Sequence, residues 1–491
     1  MAVVGNTHEA ITPLGYEGGF SKLEKLRPLG RLERFSTTRS RLGVYHNVGL
    51  TGFYSYNPSS SSSTSPSLPS SYLLRSLIFH ALSTLVAQHP SLSTIPIDDG
   101  VPERDAYFVR LPEIDFNTAV TFIESKNIRT GDENGSDVEL DKLLEAQHNQ
   151  SFEGQQIPGL PVWRLIILTN PASQSSFIAS FVFHHAIADT GSAMAFHKCF
   201  AIALSNVSSE DAAKTLPRNA IIQAFDTEML PSLEQLYELS VSNEFLERER
   251  FLTEHPDVPA HVWSGDVAQL PVATRFESLK ITKDDARRFV AACRKNDTTV
   301  TATLQALVAS VLFDLIPEEF TTLNSICPVA LRRWLPAPID EFSMGTWVGI
   351  IGETYQRQQG FSWKEACRCR KNIQEVVARK GKDMVSSFPR SIVDFNHYFM
   401  DQMGKKRGCS FEISNIGILK MRPEDSWRIG RLVFSQCASA TSGIKVSVAT
   451  GGDGSLNIGF TWPRGVFDEG LMRAFINRFS AVLLELATPA K

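Results

Sequence analysis

The residues Phe181–Gly191, FVFHHAIADTG, follow directly on Ser176–Ser180, SFIAS. An apolar run of this kind reads as a strand buried on both faces. It ends in two adjacent histidines, His184 and His185, and Asp189 follows the second by four places. The end of a buried strand is a rigid mount from which a side chain can enter a cleft. Gly191 and Ser192 then permit a sharp exit into the helical GSAMAFHKCFAIAL. His185 can serve as a base with Asp189 folded back beneath it; the competing reading is a buried histidine hydrogen-bonded for structure. The chain carries its own control, because His397 and Asp401 in NHYFMDQ have the same spacing. They lack the preceding strand, the doubled histidine and the glycine after the aspartate, and read as surface or core decoration.

Outward from this stretch, 491 residues exceed the size at which one core stops growing, so two domains or two halves sharing a cleft are expected. In the first half, LLRSLIFHALSTLVAQ places Leu74, Leu77, Ile78, Leu82, Leu85 and Val86 at helical spacing, stopped at Gln88-His89-Pro90. AYFVRL and PVWRLIIL read as strands. The arginine-rich RPLGRLERFSTTRSRLGVYHNVGL reads as a helix and a strand with solvated arginines, and the Ser/Pro tract 57–72 as a flexible surface loop. A linker follows, with PSLEQLYELS a helix candidate.

The second half repeats the mixture. DDARRFVAACRKND and TVTATLQALVASVLFDLI read as helices, with Thr298 or Thr299 as N-cap of the latter. WKEACRCRKNIQEVVARKGK is a third helix, and the last helix aligns Leu471, Phe475, Ile476, Phe479, Leu483 and Leu486. NSICPVALRRWL, TWVGIIGETY, CSFEISNIGIL and RLVFSQCA read as strands, and KVSVATGGDGSLNIGFTW as a hairpin turning on GGDG. The division predicted is 1–207, a linker over 208–272, and 273–491: two α/β halves, each with a mixed sheet of its own.

Composition and motifs remove several chemistries. The chain is 43% hydrophobic and 21% charged with a net charge of −4, and no basic stripe calls for nucleic acid. No apolar stretch approaches the roughly 20 residues of a membrane span. The first residues lack a signal-peptide pattern and the seven cysteines have no framework spacing, so a cytoplasmic location is expected. GxSxG, GxxxxGK[ST] and HExxH are absent, as is GxGxxG after a strand. Adjacent histidines point apart and make a poor zinc pair, so no metal is expected.

HHAIAD at a strand end resembles the HHxxxDG signature of the chloramphenicol acetyltransferase-like superfamily, which includes condensation domains and plant BAHD acyltransferases. RPLGRLERFSTTRSRLGVYHNVGLTGFY, CRKNDTTVTATLQALVASVLF, CPVALRRWL and FEISNIGIL are similar to segments of its fungal alcohol acetyltransferases, in the same order. The chain departs from the pattern at Thr190, where glycine is usual, and lacks the DFGWG block of the plant enzymes. The resemblance implies two chloramphenicol acetyltransferase-like lobes, each a mixed sheet packed with helices, with a central channel between them. It implies an acyltransferase in which His185 is the catalytic base and Asp189 its organiser, tied to Arg332 of the other lobe, with Arg333 the nearby competitor and His184 supporting.

On that basis acyl-CoA, acetyl-CoA first, is a consumed cosubstrate with no bound cofactor. The acceptor is a hydroxyl of a small alcohol or a secondary metabolite; the oligomeric state stays open, with monomer the default. Ser414 and Asn415 are candidates to face the channel near the oxyanion. Three alternatives stay open: an amine acceptor, a carrier-linked or CoA-free reaction such as condensation or cyclisation, and a degenerate member that only binds.

Overall fold

The computed structural model describes residues 23–57, 71–98, 100, 105–126, 137–153, 160–171, 176–207, 220–238, 240–254, 257–384 and 392–488. Most of the Ser/Pro tract, residues 58–70, and the start of the expected linker, residues 208–219, lie outside them. Ser71 and Tyr72, expected in the loop, already belong to the helix Ser71–Gln88.

The Ser176–Phe183 strand is the middle of a five-stranded sheet ordered Trp427–Gln436, Val48–Tyr56, Ser176–Phe183, Trp163–Thr169, Val120–Glu124. Its residues from Phe177 to Phe183 are all buried, as a run apolar on both faces requires. Phe177, Ala179, Phe181 and Phe183 face the larger core, where Phe181 stacks on Phe196 of the Thr190–Asn206 helix at 3.8 Å between ring centroids. Ile178 and Val182 pack on the opposite face with Ile166 and Leu168. This two-sided packing fixes where the strand ends, and therefore where His184 and His185 begin.

The second sheet has six strands, ordered Thr274–Ile281, Leu456–Pro463, Ser442–Thr450, Cys409–Ile418, Thr322–Ala330, Val348–Gln356. Its middle pairs are parallel and its outer pairs antiparallel. The GGDG hairpin forms as expected, with Thr450 opposite Leu456 and Gly454 at φ +85°. The Val300–Leu315 helix, capped by the Thr299 side chain, is buried from Ala302 to Phe313. A helix apolar all round belongs in the middle of a core. Among the described residues no single helix is long and apolar enough to cross a membrane.

Three details differ from expectation. Sheet membership does not follow the chain halves, because Trp427–Gln436 pairs antiparallel with Val48–Tyr56 and becomes the edge of the first sheet. Local patterning cannot say which sheet a strand joins. That strand also touches the second sheet: Thr461 donates to the Gln436 carbonyl at 3.1 Å, and Gln436 Nε2 lies 3.1 Å from Ser447 Oγ. Among the described residues of PSLEQLYELS only Leu233–Leu236 is helical, a single turn ended at an extended Tyr237. The N-terminal arginines are not all solvated: Arg39 of the Arg31–Arg41 helix sits over the rings of Phe35 and Tyr45, 5.2 and 4.2 Å from their centroids.

Candidate active site

The strand stops at Phe183 and the chain makes a tight turn before the Thr190–Asn206 helix. His184 is buried, and its Nδ1 accepts the Ala186 N–H at 3.0 Å, which locks the turn. Its Nε2 points away, 3.8 Å from the Glu153 carboxylate. The two imidazoles therefore part, and the His185 ring lines a cavity of about 110 Å³ between the lobes. The Thr346 hydroxyl, from the second lobe, donates to the His185 carbonyl at 3.0 Å and lies 3.2 Å from that of Ala186.

Asp189 is the N-cap of the helix and accepts the Ser192 N–H at 2.8 Å. Arg332 Nη1 and Nη2 each donate to it at 2.7 Å, a two-pronged pair that fits the planar guanidinium. The Trp347 N–H adds a fourth donor at 3.0 Å. Burial by itself would raise this carboxyl, but the Arg332 charge and the surrounding donors override it and hold the pKa below the ordinary value. Arg332 lies in the 3₁₀ turn Arg332–Trp334 after the strand, not on the strand itself. Arg333 stands 5.9 Å from the Trp334 ring centroid.

Thr190 occupies the first helical position, and its φ is not positive, so the shift of glycine by one place strains nothing. Gly191 has a separate reason: a Cβ there would strike the Arg332 guanidinium. Ser192 Oγ also bridges the lobes, 2.7 Å from the Gly345 carbonyl and accepting its N–H at 2.9 Å.

Burial pushes the His185 imidazole down to about 4; the Arg39 charge adds to this, and its own carbonyl and Asp189 oppose. The ring is neutral at neutral pH, with Nδ1 buried. Ser414 is buried on the cavity wall, whereas the Asn415 side chain is turned to Thr301 Oγ1 at 3.0 Å. His397 is exposed on the short Phe395–Met400 helix, and Asp401 pairs with Lys405 at 3.1 Å.

Several wall residues escaped the sequence reading. Glu412 and Lys445 form a buried ion pair at 2.9 Å across neighbouring strands of the second sheet. Each is a lone charge in an apolar strand, which was the available signal. Tyr45 donates to Gln436 Oε1 at 3.0 Å, with Lys445 Nζ 4.4 Å from its ring centroid. Thr346 gave no signal, because its role exists only across the lobes.

The alcohol acetyltransferase family model matches residues 133–483. The chain belongs to the alcohol acetyltransferase family. This acetyltransferase is 33% identical to the probable alcohol acetyltransferase crmB of Aspergillus fumigatus over 462 residues, 90% of this chain and 96% of that one. Its fold is similar to that of TRI3, the trichothecene 15-O-acetyltransferase of Fusarium sporotrichioides, with a TM-score of 0.70 at 12% identity over 94% of this chain and 95% of that one. The first condensation domain of the calcium-dependent antibiotic synthetase follows at 0.62 and 14% identity, over 95% and 98% of the two chains. The two-lobed architecture is thus that of the chloramphenicol acetyltransferase-like folds, and the protein is an acyltransferase.

Proposed function

We propose that this acetyltransferase moves an acetyl group from acetyl-CoA to a hydroxyl of a small organic acceptor, with His185 as the general base. The observation that carries the reading is a half-buried imidazole lining the interlobe cavity on a turn braced from the other lobe by Thr346, in surroundings whose desolvation favours its neutral form. A neutral imidazole takes the acceptor's proton as its oxygen attacks the thioester carbonyl and returns it to the departing thiolate. Nε2 is the nitrogen left for this work, since Nδ1 is buried. Both substrates meet in one cavity, so no acyl-enzyme is required.

Asp189 is occupied by four N–H donors, two of them from Arg332, so it shapes the turn and does not relay charge. Ser414, which lines the cavity, is the oxyanion donor in this reading; removing such a donor typically costs about 10²–10³-fold in rate.

The test is thiol release from acetyl-CoA with a mixed pool of alcohols and amines, wild type beside His185→Ala. Release that needs an acceptor and falls by about 10²–10⁴-fold in the variant is expected. Release that survives the substitution removes His185 from the mechanism. Turnover of a carrier-bound thioester but not of acetyl-CoA would change the donor.

A further inference from the structure

We infer that Arg39 is an anion receptor inside the catalytic cavity, and that the acceptor carries a carboxylate along with its hydroxyl. The inference rests on the acetyl-transfer reading above and names its acceptor class. Two cations, Arg39 and Lys445, and two carboxylates, Asp189 and Glu412, line the cavity that holds His185. Asp189 is taken by Arg332, and Glu412 by Lys445. Among the described residues, that leaves Arg39 with no carboxylate partner, and its Nε is buried without a hydrogen bond. Its nearest polar contact is Ser36 Oγ, at a long 3.5 Å.

The side chain is nevertheless held in place. Phe35 and Tyr45 present their ring faces to the guanidinium. Attraction to aromatic faces recovers only part of the cost of taking a guanidinium out of water. A planar, two-pronged donor with no carboxylate partner fits a carboxylate better than any neutral group. The cavity lining also includes the apolar Ile326, Val348, Ile350 and Phe434. The matching molecule is therefore a hydroxy acid with a hydrocarbon body.

The charge belongs to the acceptor by the chemistry of the donor. An acetyl group carries none, and the phosphates of CoA lie at the far end of a long arm from the thioester carbon. A dicarboxylic acyl group such as malonyl is the other source of an anion at this place, and the experiment separates the two.

Hydroxy acids with apolar chains are each offered beside their methyl esters, with acetyl-CoA as donor, to wild type, Arg39→Lys and Arg39→Met. The acid should exceed its ester at least tenfold in kcat/KM, mainly through KM. Arg39→Met should abolish that preference and Arg39→Lys keep part of it. An ester that equals its acid in the wild type overturns the inference, as does a preference unchanged in Arg39→Met. So does an Arg39→Met defect confined to malonyl-CoA with neutral alcohols. Calorimetric titration of the same acids and esters is read alongside: no tighter binding of any acid also overturns it. Thiol release with neutral alcohols alone would leave the acetyltransferase reading standing and remove the carboxylate. Arg39-dependent acid binding without any thiol release would do the reverse.

Discussion

Asp189 carries more of the site than its distance from the reacting atoms suggests. Its oxygens accept only, and both are surrounded by donors: Arg332 and Trp347 on one, Arg332 and Ser192 on the other. An amide in its place would turn an NH₂ toward donors whichever way it was flipped, and would leave Arg332 as an unpaired cation. Breaking a buried pair by removing one partner costs about 3–5 kcal/mol. Asp189→Asn should therefore lose about that much stability in denaturant unfolding. A loss under about 1 kcal/mol would mean that the pair is solvated and the turn is held by other contacts. The aspartate and arginine were readable from sequence through the family pattern; the Trp347 donor was not, because nothing local marks a backbone N–H as a partner.

At the scale of elements, the Trp427–Gln436 strand is the seam between the sheets. It completes the first sheet by pairing with Val48–Tyr56 and lies against the second near Gly459. A Cβ at Gly459 would come 2.6 Å from the Phe434 carbonyl oxygen and 2.8 Å from the Phe276 ring. The first of these is backbone held in a sheet and cannot swing aside. Overpacking of this kind costs typically about 1–3 kcal/mol, so Gly459→Ala should fall in that range by chemical denaturation. A neutral result would show that the seam yields. The helices around these sheets were largely legible, since Val300–Leu315 and Glu469–Ala487 follow from apolar spacing and caps alone. The single turn at Leu233–Leu236 was overestimated because propensity is only a weak prior where packing is sparse.

For the whole molecule, buried histidines set the response to acid. Burial pushes His148 and His184 down to about 3, and His89, His185 and His197 to about 4. Each stays neutral in the fold while its unfolded counterpart takes a proton near 6.5, so the unfolded state binds more protons between those values. Stability is then full above about pH 6.5 and is lost as pH falls toward 4. Asp141 runs the other way: burial raises it to about 7, so it favours the fold at low pH and weakens it as pH rises from about 4 to 7. Burial also lowers His46 and raises Glu153, Glu249 and Glu277, so six histidines stand against four carboxylates and the histidines decide the sign. The Tm should fall steadily from pH 6.5 to 4.5, and a Tm that rises over that interval would contradict these protonation states.

By itself the sequence determined the buried strand, the histidines at its end, the aspartate that starts the next helix, and the α/β alternation on both sides. These follow from local periodicity and capping, which short stretches carry whole. The similarity of its motifs to fungal acetyltransferases pointed to Arg332 as the partner of Asp189. Only the tertiary structure decided that Trp427–Gln436 joins the first sheet, that Thr346 holds the His185 carbonyl, that Ser414 and not Asn415 faces the cavity, and that Arg39 stands there without a carboxylate. The reason is common to all four. Each depends on which side chains and strands meet in space, and a contact between segments more than a hundred residues apart leaves no periodic trace in either.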